Sequence, residues 1–446
     1  MIGDTPMIEL TAFDTGPCRL FAKLENQNPG GSIKDRIGLS MIEAAEREGR
    51  IKPGDTLVEA TAGDTGLGLA LVAAQKGYKL TLVIPDKMSQ EKVFHLRAMG
   101  AEIVMTRSDV PKGHPEYYQD MAQRLAEERG GWFVNQFANP ANPLAHETTT
   151  GPEIWSQMGH DLDAVVCGVG SGGTITGLGR FFKRVAPEVE MVLADPVGSI
   201  LAHYIRTGEV SETPGSWLVE GIGEDFIPPV SDLSLVSAVH EISDAEAFET
   251  SRSLLSRQGI TAGSSSGTLI AAALAYCGEQ TAPKRVVTLI CDSGSKYLSK
   301  MFNDYWMLDQ GFLKRESHGD LRDLISRRHR DHAVVTIGPD EPLATAYARM
   351  KLAEVSQLPV VEEDKIVGLI DESDLLLAVY DQEDRFRDPV RGAMTGRIET
   401  LPPATPVQNL IPIFEKGRVA IVRDGADFLG LITRIDLLNY LRRRMK

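Results

Sequence analysis

Between about residues 50 and 300, short apolar runs alternate with amphipathic stretches. The runs at 56–59 (T-L-V-E), 80–84, 101–105, 164–169, 191–194 and 286–291 have the length and β-branched content of buried strands. Residues 66–76, 90–99, 117–128 and 175–185 between them have helical composition. This alternation predicts an α/β protein whose mostly parallel sheets are covered on both faces. Upstream, Asn28-Pro29-Gly30-Gly31 is a dense turn signal. Ser32 follows as an expected helix N-cap, and Ile37, Leu39, Met41 and Ile42 then recur on a helical period. Lys34 therefore falls in the first turn of a helix, where the dipole disfavours a charged amine and burial would lower its pKa further. A neutral amine there can attack a carbonyl. Taken alone, a first-turn lysine is ordinarily solvated, so the weight falls on the rest of the chain.

The pattern changes near residue 310. Residues 311–330 carry Lys314, Arg315, Glu316, Arg322, Arg327, Arg328 and Arg330, and read as a solvated linker. Beyond them the chain repeats itself. The first copy passes from Thr336-Ile337-Gly338-Pro339 through Leu358-Pro359-Val360-Val361 to Gly368-Leu369-Ile370-Asp371 and Asp374. The second passes from Leu401-Pro402-Pro403 through Val419-Ala420-Ile421-Val422 to Gly430-Leu431-Ile432-Thr433 and Asp436. Each copy predicts a turn, a helix, two short strands joined by an acidic-Gly turn, and a helix. The expected organisation is a catalytic domain over 1–312, a linker over 313–330 and a paired module over 331–446, with repeats at about 331–384 and 388–446.

Composition narrows the partners. The 446 residues are 42% hydrophobic and 24% charged, ordinary for a globular chain. The net charge of −15 argues against nucleic acid or an anionic membrane as partner. No apolar run approaches membrane-span length, and Met1 leads straight into Ile2-Gly3-Asp4, so no signal peptide is expected and the cytoplasm is the default. Cys18, Cys167, Cys277 and Cys291 are scattered, which predicts buried thiols rather than disulfides or a metal site.

Three further motifs carry chemistry. Residues 59–66 (E-A-T-A-G-D-T-G) follow a predicted strand and precede a helix, so small residues there let backbone N–H groups approach an anion. Residues 168–174 (G-V-G-S-G-G-T) occupy the same kind of turn and make a phosphate cradle, without the G-K-[ST] of a P-loop. Cys291-Asp292-Ser293-Gly294 closes a predicted buried strand, where polar residues commonly face a ligand crevice. Lysine, cradle and polar strand end together fit pyridoxal 5′-phosphate, which offers an aldehyde, a phosphate and a ring nitrogen.

On N-P-G-G-S-I-K-D-R at 28–36, M-S-Q-E-K at 88–92, N-Q-F-A-N-P-A-N at 135–142, G-S-G-G-T at 170–174 and E-G-I-G at 220–223, the first 305 residues or so resemble the β-family of pyridoxal-phosphate enzymes, the cystathionine β-synthases and cysteine synthases (O-acetylserine sulfhydrylases). The tail resembles a Bateman module of tandem CBS domains. The resemblance implies a tryptophan-synthase-β-like, fold type II catalytic domain of two α/β subdomains, followed by an α+β CBS pair. It makes Lys34 the Schiff-base lysine and general base, Gly170, Ser171, Gly172, Gly173 and Thr174 the phosphate cradle, and Ser293 the partner of the ring nitrogen. It makes Thr61, Ala62, Gly63 and Thr65, with Gln136 and Gly221, the substrate-binding set.

It also implies β-replacement through an aminoacrylate, condensing L-serine with L-homocysteine to cystathionine, with hydrogen sulfide released from cysteine as a side reaction. Cysteine synthesis from O-acetylserine and sulfide is the alternative. A nucleotide-responsive sensor with degenerate catalysis is the alternative of another class. A homodimer or higher homo-oligomer is implied, and haem is not expected. One departure stands out: the family loop usually carries Asn where this chain has Asp64. Facing the cofactor, Asp64 is expected either to have a raised pKa or to be displaced from the ring. In the tail, Thr433 and Asp436 match the family's nucleotide motif, whereas Asp371 replaces the hydroxyl in the first copy. An adenosyl ligand (S-adenosylmethionine or AMP) at the second copy, or a purely assembling module, are the two expectations.

Overall fold

The computed structural model describes residues 1–443 apart from Ala62, Lys87, Pro111, Lys112 and Glu212. The chain divides into two compact units, Met1–Asn303 and Asp304–Lys446. Among the described residues no helix is long and apolar enough to cross a membrane.

The strands of the first unit are β1 (Met7–Glu9), β2 (Arg19–Lys23), β3 (Thr56–Ala60), β4 (Lys79–Pro85), β5 (Glu102–Thr106), β6 (Trp132–Phe133), β7 (Ala164–Gly168), β8 (Glu190–Pro196), β9 (Ala238–Ile242) and β10 (Arg285–Leu289). They form a six-stranded sheet in the order β1-β2-β10-β7-β8-β9 and a four-stranded sheet in the order β5-β4-β3-β6. Every pairing is parallel except β1 with β2. The mostly parallel α/β architecture read from the sequence is therefore present, with strand ends displaced by no more than two residues. The pattern passed over β1, β2, β6 and β9. Strand β6 has two residues, and Arg19 and Lys23 bracket β2, so neither makes an apolar run.

Parallel strands put the ends of β3, β7 and β10 on one side of their sheets, where crevices form. Helix Lys34–Arg47 buries Ile37, Met41 and Ile42 in one core with Leu67 and Leu69 of helix Thr65–Lys76 and Leu57 of β3. The two helices cross at glycines. A Cβ on Gly68 would lie 2.5 Å from the Lys34 carbonyl oxygen, and one on Gly38 would lie 2.7 Å from the Gly68 carbonyl carbon. That close crossing sets Lys34 beside the loop after β3. Ser32 does not occupy the N-cap position, which is Ile33. Its hydroxyl instead accepts from the Lys34 N–H at 3.2 Å, satisfying one of the helix's free donors from one residue further out.

The second unit holds two copies of one motif. In the first, β11 (Gln357–Glu362) and β12 (Lys365–Asp371) form an antiparallel hairpin between helices Leu343–Ala353 and Glu372–Val379. In the second, β13 (Thr400–Leu401) runs parallel to β14 (Ala420–Asp424), which pairs antiparallel with β15 (Asp427–Ile432) before helix Arg434–Arg443. The first copy's hairpin turn has no glycine; Glu363 and Asp364 both take positive φ there. Ile366, Ile421 and Phe428 bury a face shared by the copies. Part of the stretch read as a solvated linker is core: Leu321, Leu324 and Ile325 are buried with Leu410, Phe414 and Ile432. Arg315 and Arg328 follow them inward, and Arg315 donates to the carbonyls of Ile325 (3.1 Å) and Ser326 (2.7 Å). Charge count along 311–330 hid this apolar spacing.

Candidate functional site

A cavity of about 290 Å³ opens in the first unit. Its wall is built from the ends of three strands. The loop after β3 contributes Thr61, Gly63, Asp64 and Thr65; the turn after β7 contributes Gly170, Ser171, Gly172 and Thr174; β10 contributes Leu289 and, just beyond, Cys291. Lys34, Gln136 and Gly221, also expected at the site, lie on the wall as well. Burial pulls the Lys34 ammonium below its ordinary value, while Cys291, Asp64, Glu224 and Asp292 act the other way. The amine thus sits where its neutral form is favoured.

Hydrogen bonds fix the loop after β3. Thr61 Oγ1 accepts from the Gly63 N–H at 3.0 Å, and Thr65 Oγ1 donates to Gln136 Oε1 at 2.6 Å. Gln136 Nε2 donates to the Ala60 carbonyl at 3.2 Å, and its own N–H reaches Glu59 Oε2 at 3.1 Å. Glu59 is wholly buried with no cation paired to it among the described residues, and burial pushes its carboxyl up to about 8 although backbone N–H groups oppose the shift. Ala62 lies outside the described residues.

The turn after β7 is held differently. Gly172 has φ +85°, and helix Gly173–Val185 begins there with no side-chain cap, leaving its first N–H groups free. Asn142 Nδ2 donates to Ser171 Oγ (2.9 Å) and the Gln136 carbonyl (2.8 Å), which ties this turn to the first. His146 Nε2 lies 3.3 Å from Thr174 Oγ1, and burial keeps its imidazole neutral. Gly173 itself starts the helix and is not on the cavity wall.

Two expectations change. Ser293 does not line the cavity; its hydroxyl sits 2.8 Å from Ser295 Oγ and accepts from the Ser295 N–H, while Cys291 and Ser265 face inward. For Asp64 the shift runs downward rather than up. Burial works against its charge, but Lys296 at 2.9 Å and Lys92 at 4.0 Å hold the carboxyl well below the usual range. Lys92 stood inside the M-S-Q-E-K motif, so the sequence pointed at it without a role. Asn142 likewise closed the N-Q-F-A-N-P-A-N motif without a role, whereas Lys296 carried no local signal.

In the tail, Thr433 and Asp436 meet: the Thr433 N–H and hydroxyl both donate to Asp436 Oδ2, at 2.7 and 2.5 Å, and Ser326 donates to the other oxygen. Asp371 and Asp374 in the first copy cap their helix reciprocally at 3.0 and 2.8 Å.

Comparison with known proteins gives this geometry a family. The family model for pyridoxal-phosphate dependent enzymes matches residues 1–292, and that for the CBS domain matches 322–381 and 390–443. Cystathionine beta-synthase of Dictyostelium discoideum is 38% identical over 99% of this chain and 91% of its own. Cysteine synthase of Staphylococcus aureus is 44% identical over 67% of this chain and 94% of its own. A hydrogen sulfide-producing enzyme from Fusobacterium nucleatum aligns at TM-score 0.61 and 36% identity, covering 67% of this chain and 97% of that one.

The residues present fit pyridoxal phosphate. A Cβ on Gly170 would come within 2.4 Å of the Gly221 carbonyl oxygen, and one on Gly173 within 1.8 Å of Asn142 Oδ1, so this turn accepts only glycine where a phosphate would lie against backbone donors. A desolvated lysine amine faces the same cavity. The chain therefore belongs to the cystathionine β-synthase and cysteine synthase family of pyridoxal-phosphate dependent enzymes, and carries a C-terminal pair of CBS domains.

Proposed function

We propose that this chain is a cystathionine β-synthase: L-serine loses its β-hydroxyl as water, and the thiol of L-homocysteine adds in its place. The observation that carries this reading is length. Likeness to the cystathionine beta-synthase of Dictyostelium discoideum runs through 99% of the chain, tail included, whereas likeness to the Staphylococcus aureus cysteine synthase covers 67%. The bound cofactor supplies an aldehyde for attachment and a ring that withdraws electrons from the substrate's α-carbon. Lys34 would hold that group, and its amine, pulled below its ordinary value by burial, would take the proton from the α-carbon and return it. Gly170, Ser171, Gly172, Gly173 and Thr174 hold the phosphate. The N–H groups of 61–65, with Thr65 and Gln136, take the substrate carboxylate, and Gly221 closes the opposite side. The strand end after β10 would meet the ring nitrogen; Cys291 is the wall residue there, and the Ser293 hydroxyl is paired with Ser295.

The higher identity to the Staphylococcus aureus cysteine synthase supports one competitor, cysteine synthesis from O-acetylserine and sulfide. Steady-state kinetics with both substrate pairs separate them. A higher kcat/KM for serine with homocysteine is expected, and a large advantage for O-acetylserine with sulfide overturns the assignment. Sulfide release from cysteine would accompany either activity. A sensor with idle catalysis is sunk by turnover together with a visible absorbance that borohydride removes.

The reading includes a homo-oligomer working in the cytoplasm and an adenosyl ligand at the second CBS copy, where Thr433 and Asp436 adjoin Ser326. Arg328, bridged through its backbone to Gly430, supplies a buried guanidinium whose Nε has no hydrogen-bond partner among the described residues. Calorimetry with S-adenosylmethionine, AMP and ATP tests this; no heat and no thermal shift with any of them leaves the tail an assembly module.

A further inference from the structure

Lys296 stands behind the cavity wall. Its Nζ donates to Asp64 Oδ1 at 2.9 Å and to the Gly31 carbonyl at 3.0 Å. It thus joins the turn that launches the Lys34 helix to the loop after β3. Gly31 has φ +75°, and a Cβ there would be in ordinary van der Waals contact with Lys296 Nζ at 3.5 Å. Around this pair is a buried polar group. Lys92 Nζ donates to Glu220 (3.0 Å) and to the Tyr297 hydroxyl (2.9 Å), Lys300 pairs with Glu220, and Tyr297 donates to Asp292 at 2.6 Å. Burial, with Asp64 beside it, pushes the Asp292 carboxyl well above the usual carboxylate range.

The Lys296–Asp64 ion pair matters because Asp64 is on the wall that receives an amino acid. An ionised carboxylate there, uncompensated, repels the substrate's own carboxylate. We propose that Lys296 is a positioning residue for substrate recognition, acting through Asp64: the ion pair cancels the loop's negative charge and fixes its carboxylate, so that an aspartate is tolerated in the substrate-binding loop. The inference rests on the reading of 61–65 as that loop.

The test is a double-substitution cycle on the cofactor-loaded full chain: parent, Asp64→Asn, Lys296→Met and the two combined. Affinity for L-serine is read from the cofactor's absorbance without the second substrate, and the thermal midpoint is read without any amino acid. Lys296→Met is expected to weaken L-serine binding at least tenfold and to lower the midpoint, because it strands a buried carboxylate. Adding Asp64→Asn is expected to restore affinity to within about threefold of the parent and to recover most of the midpoint. Unchanged affinity in Lys296→Met, or a combined variant no better than Lys296→Met, overturns the proposal. If Lys296→Met does not accumulate folded, a combined variant that folds and binds supports the coupling, and one that also fails to fold overturns it. A parent that binds cofactor but shows no response to L-serine defeats the loop's reading instead, and the midpoints still decide the pair.

Discussion

Two turns line the cavity, one after β3 and one after β7, and they are built on different principles. The 170–174 turn is shaped by backbone. Its glycines admit close contacts with Gly221 and Asn142, and its helix offers uncapped N–H groups. No charged residue lies within it. The 61–65 loop carries Asp64, whose charge is set by Lys92 and Lys296, 28 and 232 positions further along the chain. A neutral cradle keeps its property wherever its glycines are kept. A charged loop keeps its property only while distant lysines remain in place. Substitutions in the first should therefore act on cofactor binding through fit, and in the second on substrate binding through charge and hydrogen bonding.

The largest effect is expected at the group both turns serve. Lys34→Ala should lower turnover by at least about a thousandfold, since general-base loss and attachment loss combine; borohydride should then fix no cofactor to the chain, as mass spectrometry would read. Residual turnover within tenfold of the parent would place the amine elsewhere. Next comes the cradle. Gly173→Ala drives a methyl to within 1.8 Å of Asn142 Oδ1, and overpacking of this kind costs about 1–3 kcal/mol. Cofactor affinity should fall about tenfold to a hundredfold by fluorescence titration, while L-serine affinity of the saturated enzyme changes little.

A paired substitution sharpens the contrast at smaller scale. Thr65→Val removes the hydroxyl that holds Gln136 Oε1 at 2.6 Å, and Thr174→Val removes the partner of His146. A net hydrogen bond of about 1 kcal/mol corresponds to roughly fivefold. Thr65→Val should raise the L-serine dissociation constant by about that factor without moving cofactor affinity, and Thr174→Val should do the reverse. Equal effects of both variants on both ligands would erase the distinction between the turns.

The same contrast decides what could be read without coordinates. The strand–turn–helix units at 56–76 and 164–185 are written locally, in β-branched runs followed by small residues, so the fold class and the 170–174 cradle are legible. Lys34 is legible through its turn and the helical period behind it. Asp64 was visible as an oddity, but its state was not, because Lys296 reaches it from a segment whose sequence gives no sign of a partner. Ser293 was misplaced for a related reason: a strand end names three candidate residues, and side-chain direction after the last ladder bond is set by Ser295 and the neighbouring bridge to Ala262. In the tail, counting charges over 311–330 concealed Leu321, Leu324 and Ile325, whose burial depends on Leu410 and Ile432 about ninety residues on or more.

The smallest expected effect tests the support beneath the charged loop. Glu59 carries no countercharge; Oε1 accepts from the Ala60 N–H at 2.8 Å and Oε2 from the Gln136 N–H at 3.1 Å. Its carboxyl, raised from 4.5 to about 8 by burial, is protonated in the folded chain and ionised in the unfolded chain between those values. The folded state then binds the extra proton, so stability falls as pH rises. The contribution is complete below pH 4.5 and is lost as pH passes 8. Glu59→Gln cannot ionise, but it offers one acceptor oxygen to two donors. It should therefore melt a few degrees below the parent at pH 5, where the protonated acid keeps both bonds, and lose that deficit or surpass the parent at pH 9, where the parent must bury a charge. Parallel melting curves for the two proteins from pH 5 to 9 would show that Glu59 is ionised throughout. The loop would then rest on a second charge, this one without a counterion among the described residues, and its difference from the neutral cradle would be larger than described.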